Sequence, residues 1–506
     1  MKSNSHKCLS SPCFVLLLAG VAGCGRGDSM RTISAAFRTI YIKDDGTRTT
    51  VAEPTPTRST TAILVPDGSP EGYARFAVTV GAEGELTVPN VPAGRWFLQR
   101  DRSSVTVAPR TSPGDLISVN QTQLIPITSS SPDLTTVIAA RPDLARVSTP
   151  THVTANISNL EPWLGSPRIL VVGAQADVYE VILRGPGRGD TSASLDIDWS
   201  WPSASWRSPG LPDPAFGDAI YWYQRRSFAP FQIPNGSALI RQVARYARLD
   251  TFRLLDGQPA TVSVPLVEAP QTGNLNLDIG TTQFAALAAD MGPNASLAGL
   301  GVFIFAVPHS LLYPDEPVET ERELLLLSAS TTSDLDLATT YGQFLGPPWQ
   351  ELRQTVSSFT RTGPTSYSYP QIILREPAQP SPSVVVPMLG PPRRPLINGR
   401  DAFTMQTGVG SQPTLTWSPP GLGSPTSYLV TVSEWPDAYQ DGDTIEITAV
   451  VDGATSFKIP PGFLRDRAYY ATITARQAPW DGPARLPLRT GVPLYTADCV
   501  TELFVP

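Results

Sequence analysis

Histidine is almost missing from this chain: His6, His152 and His309 are the only three in 506 residues. A zinc site draws three or four ligands into one neighbourhood. Neither His152 nor His309 has a second His, a Cys or a carboxylate at helical or hairpin spacing, so each reads as a loop or strand-end residue. Cysteine is nearly as scarce, with Cys8, Cys13, Cys24 and Cys499 too few and too scattered for a disulfide scaffold. The 38 Lys and Arg residues against 45 Asp and Glu give a net charge of −7 and form no basic stripe, which argues against a nucleic-acid partner. There is no G-x-S-x-G elbow, no P-loop and no H-E-x-x-H, so motifs alone assemble neither a nucleophile with its base nor a phosphate cradle. The expectation is a non-enzyme with no catalytic residue, no metal and no cofactor. Helical periodicity is almost absent, and no apolar run reaches the length of a membrane-spanning helix.

Proline, by contrast, is abundant. The 52 prolines are about twice the usual share, and they fall between alternating apolar runs instead of in one tract. Turn dipeptides recur at Asp45-Gly46, Asp67-Gly68, Asn235-Gly236, Asp256-Gly257, Asn398-Gly399, Asp441-Gly442, Asp452-Gly453 and Asp481-Gly482. Asn and Asp tolerate positive φ and Gly favours it, as two-residue hairpin turns require. The pattern predicts an all-β chain of several β-sandwich domains, too long for a single core.

The amino-terminal stretch is an address. Lys2 and Lys7 precede the apolar run Phe14-Val15-Leu16-Leu17-Leu18-Ala19, and Val21-Ala22-Gly23-Cys24 follows. This resembles the bacterial lipobox, which implies cleavage before Cys24, lipidation of Cys24 and a permanent membrane anchor, since several acyl chains together hold firmly where one does not. Gly25 stands where an Asp would retain a lipoprotein at the inner membrane, so the resemblance implies an outer-membrane or cell-surface location. Residues 1–23 are then the signal peptide and 24–30 a tether. Loss of Cys8 and Cys13 with the signal and use of Cys24 for lipid leave Cys499 alone. Its neighbours Val500, Leu503 and Phe504 favour burial in a last strand.

Three domains and a linker follow. In residues 31–111, period-two runs lead to Val88-Pro89-Asn90-Val91-Pro92-Ala93-Gly94-Arg95-Trp96-Phe97-Leu98. Pro92 fixes φ, Gly94 permits the reversal, and Trp96 and Leu98 share the inward face. The segment resembles prealbumin-like modules of the carboxypeptidase regulatory type, which implies a spacer sandwich. Residues 112–387 form a central β-rich region, expected to be either fused sandwiches or a propeller. Strand candidates there are Val153–Ile157, Ile169–Val172, Val178–Leu183, Leu195–Trp199, Ile220–Tyr223, Phe252–Leu255, Val262–Val267, Val302–Val307, Leu324–Leu327 and Val384–Val386. Phe284–Met291 is the best short helix, and Gln242–Leu249 fits either state. Residues 388–395 read as a stiff Pro-rich linker. In residues 396–506, Leu415-Thr416-Trp417-Ser418-Pro419-Pro420, Tyr428-Leu429-Val430-Thr431-Val432 and the one-faced set Tyr469, Ala471, Ile473 and Ala475 resemble a fibronectin type III domain. Tyr469 is preferred over Tyr470 as its corner tyrosine because the apolar set keeps the parity of Tyr469. With the opening hairpin around Asp45-Gly46, the Val91-Pro92-Ala93-Gly94 segment and the run Gly217-Asp218-Ala219-Ile220-Tyr221, the assembly is similar to bacterial lipoproteins without an assigned activity.

Chemistry-bearing clusters are few. Asp437, Asp441 and Asp443 flank Gly442 but lack the EF-hand spacing. Asp315, Glu316, Glu319, Glu321 and Glu323 read as a solvated acidic face. The concentrated feature is aromatic: Trp199, Trp201, Trp206, Phe216, Tyr221, Trp222, Tyr223, Phe228 and Phe231. Core packing explains such a run. A ligand platform is the sharper alternative, with Trp199, Trp201, Trp206, Tyr221 and Trp222 stacking on a sugar and Asp196, Asp198, Asp213 or Asp218 accepting hydroxyl protons. Three functions are therefore expected in order: a lipid-anchored envelope protein making non-catalytic binding or structural contacts with a surface partner, a carbohydrate-handling surface protein, and an enzyme with an unrecognised site in the central region.

Overall fold

The computed structural model describes residues 31–506 outside 44–46, 53–59, 66–73, 81–84, 92–94, 108–116, 128–132, 140, 163–167, 174, 177, 184–188, 200–208, 228–230, 234–235, 271–272, 293, 309–312, 315–323, 342–348, 362–369, 378–383, 436–443, 479–488 and 491–492. The signal, Cys24, the tether, the Pro92–Gly94 turn, His309, both acidic clusters, Trp201 and Trp206 lie outside the described residues.

The described chain is all-β and builds four two-sheet modules. Module I contains β1 (Arg31–Ile42), β2 (Arg48–Ala52), β3 (Thr60–Val65), β4 (Ala74–Phe76), β5 (Thr79–Val80), β6 (Glu85–Val91), β7 (Arg95–Val107), β8 (Ile117–Ile127) and β9 (Asp133–Ala139). Module II contains β10 (His152–Ser158), β11 (Arg168–Gly173), β12 (Val178–Leu183), β13 (Ala193–Asp198), β14 (Ile220–Ser227), β15 (Phe231–Ile233), β16 (Gly236–Leu249), β17 (Ala260–Pro265) and β18 (Val267–Glu268). Module III contains β19 (Gly273–Ile279), α1 (Thr281–Ala286), β20 (Ser296–Pro308), β21 (Tyr313–Pro314), β22 (Leu324–Thr331), β23 (Leu335–Tyr341), β24 (Trp349–Arg361), β25 (Ile372–Pro377) and β26 (Val384–Val385). Module IV contains β27 (Arg393–Ile397), β28 (Arg400–Asp401), β29 (Gln406–Thr407), β30 (Thr414–Ser418), β31 (Ser427–Glu434), β32 (Thr444–Val451), β33 (Ser456–Lys458), β34 (Tyr469–Gln477), β35 (Arg489–Thr490), β36 (Leu494–Val500) and β37 (Phe504–Val505).

Each module has one sheet of its own: β2-β1-β6-β5 with β9 on β1, then β13-β10-β17, β23-β19-β26 and β28-β27-β30-β33. The facing sheets of all four modules are joined edge to edge in a single 20-stranded sheet. Its path runs β4-β3-β7-β8 in module I, β32-β31-β34-β36 in module IV, β25-β24-β20-β22 in module III and β16-β14-β11-β12 in module II. The spatial order I-IV-III-II therefore differs from the order along the chain. Three strand seams make it: parallel β8–β32, antiparallel β36–β25 and antiparallel β16–β22.

The cores follow the period of two. In module I, Ile33, Phe37, Leu86, Val88, Val91, Trp96 and Leu98 meet Ile125, Ile127 and Leu134. The module thus reaches Ala139, past the boundary at 111 expected from sequence. Its last two strands follow Ser- and Pro-rich stretches that read as a border. The central region is two sandwiches and not a propeller: one core spans Val147 to Leu266, while the other runs on into module IV. The 388–395 segment is not a free spacer, because Leu389, Gly390, Pro391, Pro392 and Pro395 are buried and Gly390 N–H donates to the Leu422 carbonyl at 3.0 Å.

Most expected elements are present, including β12 with the bounds Val178–Leu183. Phe252–Leu255 is coil that buries Phe252 and Leu254, with Leu254 N–H donating to the Pro212 carbonyl at 3.0 Å. The expected helix begins earlier, at Thr281, whose backbone N–H and Oγ1 both donate to Asp334 Oδ1 at 2.7 and 2.8 Å, and ends in a 3₁₀ turn, Ala288–Asp290. In module IV, Asn398 (φ 51°) and Gly399 (φ 80°) form the left-handed pair joining β27 to β28, as the Asn-Gly dipeptide demands. Tyr469 is fully buried and its hydroxyl accepts from Arg465 N–H at 2.8 Å. Cys499 is a buried free thiol whose pKa burial raises well above the usual value.

Candidate functional site

The aromatic run resolves once the faces of β14 are separated. Trp222 is 0 % exposed and points into the module II core, with Trp199 (1 %) in the same cluster. The Trp199 indole N–H donates to the Gly210 carbonyl at 3.2 Å, and its ring lies 5.7 Å from Phe252. Tyr221 (5 %) and Tyr223 sit on the other face, stacked at 6.0 Å and 7°, where they pack with Val243, Ala269 and, from module III, Ala306 and Leu352. The strand is apolar on both faces because both are covered, one by its own sandwich and one by the next module. Trp199, Tyr221 and Trp222 therefore do not offer rings to a ligand, which corrects their assignment as a platform. The burial of β14 on both sides, and of Trp199 in the module II core, gives the physical reason.

The four carboxylates considered for that platform part company. Asp196 lies 3.5 Å from His152 Nδ1 on the exposed face of the β10–β13 pair, and Asp198 stands opposite His152 in register. Asp213 and Asp218 instead belong to a buried polar cluster around Arg141. The Asp218 carboxylate, fully buried, accepts from Arg141 Nε at 3.2 and 3.1 Å and from Asp213 N–H at 2.9 Å. Arg141 is itself buried. Its Nη1 donates to the Asp143 carbonyl at 3.0 Å and pairs with Asp143 Oδ1 at 3.2 Å, and its Nη2 donates to the Leu211 carbonyl at 3.3 Å. Phe216, 46 % exposed, lies with its ring 4.4 Å from the guanidinium carbon.

Local sequence explains the loop that holds this group. Asp213 caps the 3₁₀ turn Pro214–Phe216 by accepting from Ala215 N–H at 3.0 Å, with Pro214 at its first position. Gly217 takes φ 79°, a conformation that disfavours a side chain, and its carbonyl accepts from Gln175 Nε2 at 2.8 Å. Burial raises the Asp218 pKa, opposed by the Asp213 hydrogen bond and by the Arg141 charge. Both Asp218 oxygens are engaged, so the pair positions the loop and has no free lone pair facing solvent for proton transfer. Arg141 carried no sequence signal: it is an isolated Arg in Ala140-Arg141-Pro142. Asp218 stood in the singled-out Gly217–Tyr221 run.

Among the described residues no group of three or more His, Cys, Asp or Glu could hold a metal ion, and no helix is long and apolar enough to cross a membrane. No protein-family model matches the chain, and no curated protein matches it. Among solved structures, domains A168–A170 from titin are similar, with 8 % identity over 95 % of this chain and 97 % of that chain and a TM-score of 0.15.

Proposed function

We propose that this chain is an exported, lipid-anchored envelope protein, tied to the membrane through Cys24, that presents joined β-sandwich modules for non-catalytic binding or structural contacts. The observation that carries the reading is the use of its chemistry-bearing groups in packing: Arg141 and Asp218 close on each other, and Trp199, Tyr221 and Trp222 fill cores and a module junction. Sandwich modules joined edge to edge suit a rigid scaffold. The Val21-Ala22-Gly23-Cys24 run supports the anchor, and Gly25 supports delivery to the outer membrane or cell surface.

Mass spectrometry of the native protein tests the anchor. A mature amino terminus at Cys24 with acyl chains is expected, and Cys24→Ala moves the chain out of the membrane fraction or leaves it as precursor. An unmodified thiol at Cys24 on a chain that retains residues 1–23 refutes it.

A further inference from the structure

Modules III and IV meet along the antiparallel β25–β36 ladder, with Ile372 through Arg375 opposite Ala497 through Leu494. They are held elsewhere too: β21 pairs with β35, Val500 N–H donates to the Met291 carbonyl at 2.8 Å, and one hydrophobic core runs through both. The ladder can therefore open locally without the modules parting.

Two carboxylates bridge this ladder, one on each face of the sheet. By parity Glu376 follows Ile372 and Leu374, whose face packs on the core, while Asp498 follows Thr496 on the other face. Glu376 of module III accepts from the Tyr495 hydroxyl of module IV at 3.3 Å and from Gln354 Nε2 at 3.3 Å. Asp498 of module IV accepts from Gln371 N–H of module III at 3.1 Å and from Thr474 Oγ1 at 2.8 Å. Its own N–H donates to the Gln371 carbonyl at 2.9 Å, and Ser357 Oγ donates to Gln371 Oε1 at 3.2 Å. The partners of both carboxylates are neutral. Arg353, Arg375 and Arg476 lie on the Asp498 face, and Asp290 acts with Asp498 on the Cys499 thiol, yet none of the four forms an ion pair with Asp498 or Glu376.

Burial raises both carboxyl pKa values, that of Asp498 to about 6. Opening the ladder returns each group to water and to its ordinary value, so the closed ladder binds the protons more tightly. Its closure is supported in full below about pH 4, and that support is lost as pH rises through the raised values. Tyr495 keeps its proton throughout, because burial and Glu376 raise its pKa further.

We infer that the β25–β36 ladder is an acid-set latch: protonation of Asp498 and Glu376 holds it closed, and their ionisation loosens it while modules III and IV stay together.

Hydrogen exchange on the full-length chain between pH 4 and pH 8, corrected for the intrinsic exchange rate, tests this at the amides of Asp498 and Val500, which both donate across the junction. Their protection is expected to fall by several-fold to about a hundredfold as pH rises. The Ile459 amide, which donates to Pro413 within module IV, is expected to hold its protection. A chain carrying both Asp498→Asn and Glu376→Gln is expected to keep at pH 8 the protection it has at pH 4. A flat wild-type profile at Asp498 and Val500 overturns the latch whatever the variant does. A fall shared equally by Ile459, or one that persists in the double variant, overturns it as well.

Discussion

Arg141→Ala removes the cation from a fully buried carboxylate. Asp218 keeps only the Asp213 N–H, at 2.9 Å, and its charge has no other counter-ion among the described residues. Breaking a buried pair in this way costs about 3–5 kcal/mol, because the remaining charge stays desolvated. The other losses are small beside it: the Asp143 carboxylate is half exposed, so that contact is worth about 0–1 kcal/mol, and the ring contact with exposed Phe216 about 0.5–1 kcal/mol. Arg141→Lys keeps the charge and loses the fork that reaches Leu211 and Asp143, an intermediate cost of about 1–3 kcal/mol. Whole-chain melting is a poor readout for linked modules, which need not unfold together. Hydrogen exchange reads the site directly at the amides of Val147, which donates to Pro209, and Leu211, which donates to Ala145. Protection there should fall by the full cost in Arg141→Ala, while module IV amides such as Ile459 keep theirs. Protection at Val147 and Leu211 within about 0.5 kcal/mol of wild type, the range of an ordinary surface substitution, refutes the argument that Arg141 and Asp218 hold this loop.

Tyr469→Phe leaves Arg465 N–H without its acceptor and should cost about 1–3 kcal/mol, as read by denaturant unfolding followed at module IV. The Asp498 carboxyl, at the β36–β25 seam, accepts from Thr474 Oγ1 at 2.8 Å and Gln371 N–H at 3.1 Å, and burial pushes its pKa up to about 6. A folded pKa above the unfolded value means that the folded state binds the proton more tightly, so this group's contribution is fully present at low pH and is lost as pH rises through the window from about 4 to 6. Asp498→Asn should therefore raise stability at pH 7–8 by about 1–3 kcal/mol and flatten the pH dependence across that window, as read by urea titrations at several pH values.

Local pattern carried the elements and lost the borders. The alternation in Val178–Leu183 gave β12 residue for residue, and the parity of Tyr469 with Ala471 and Ile473 picked the buried tyrosine over its neighbour. Phe252–Leu255 looked like a strand because Phe252 and Leu254 alternate into the core, yet the Leu254 backbone bond goes to a loop. The β14 aromatics looked like a platform because a strand covered on both faces has no polar face to mark it. The module I border was misplaced because nothing in Ile117–Ile127 announces that Ile125 belongs with Trp96. The β8–β32 seam joins residues more than three hundred positions apart and leaves no local trace. Arg141 was equally silent, since its partner lies 77 residues away.

The position of module IV sets a timetable for biogenesis. Strands β8 and β25 are both made before the strands that cover their edges, β32 and β36, which emerge from the ribosome near the end of synthesis. Until then the unfinished polypeptide carries raw edges that invite pairing with neighbours. A premature stop before residue 444 would therefore do more than delete the last module: it would leave modules I and III permanently uncovered, and such fragments should aggregate.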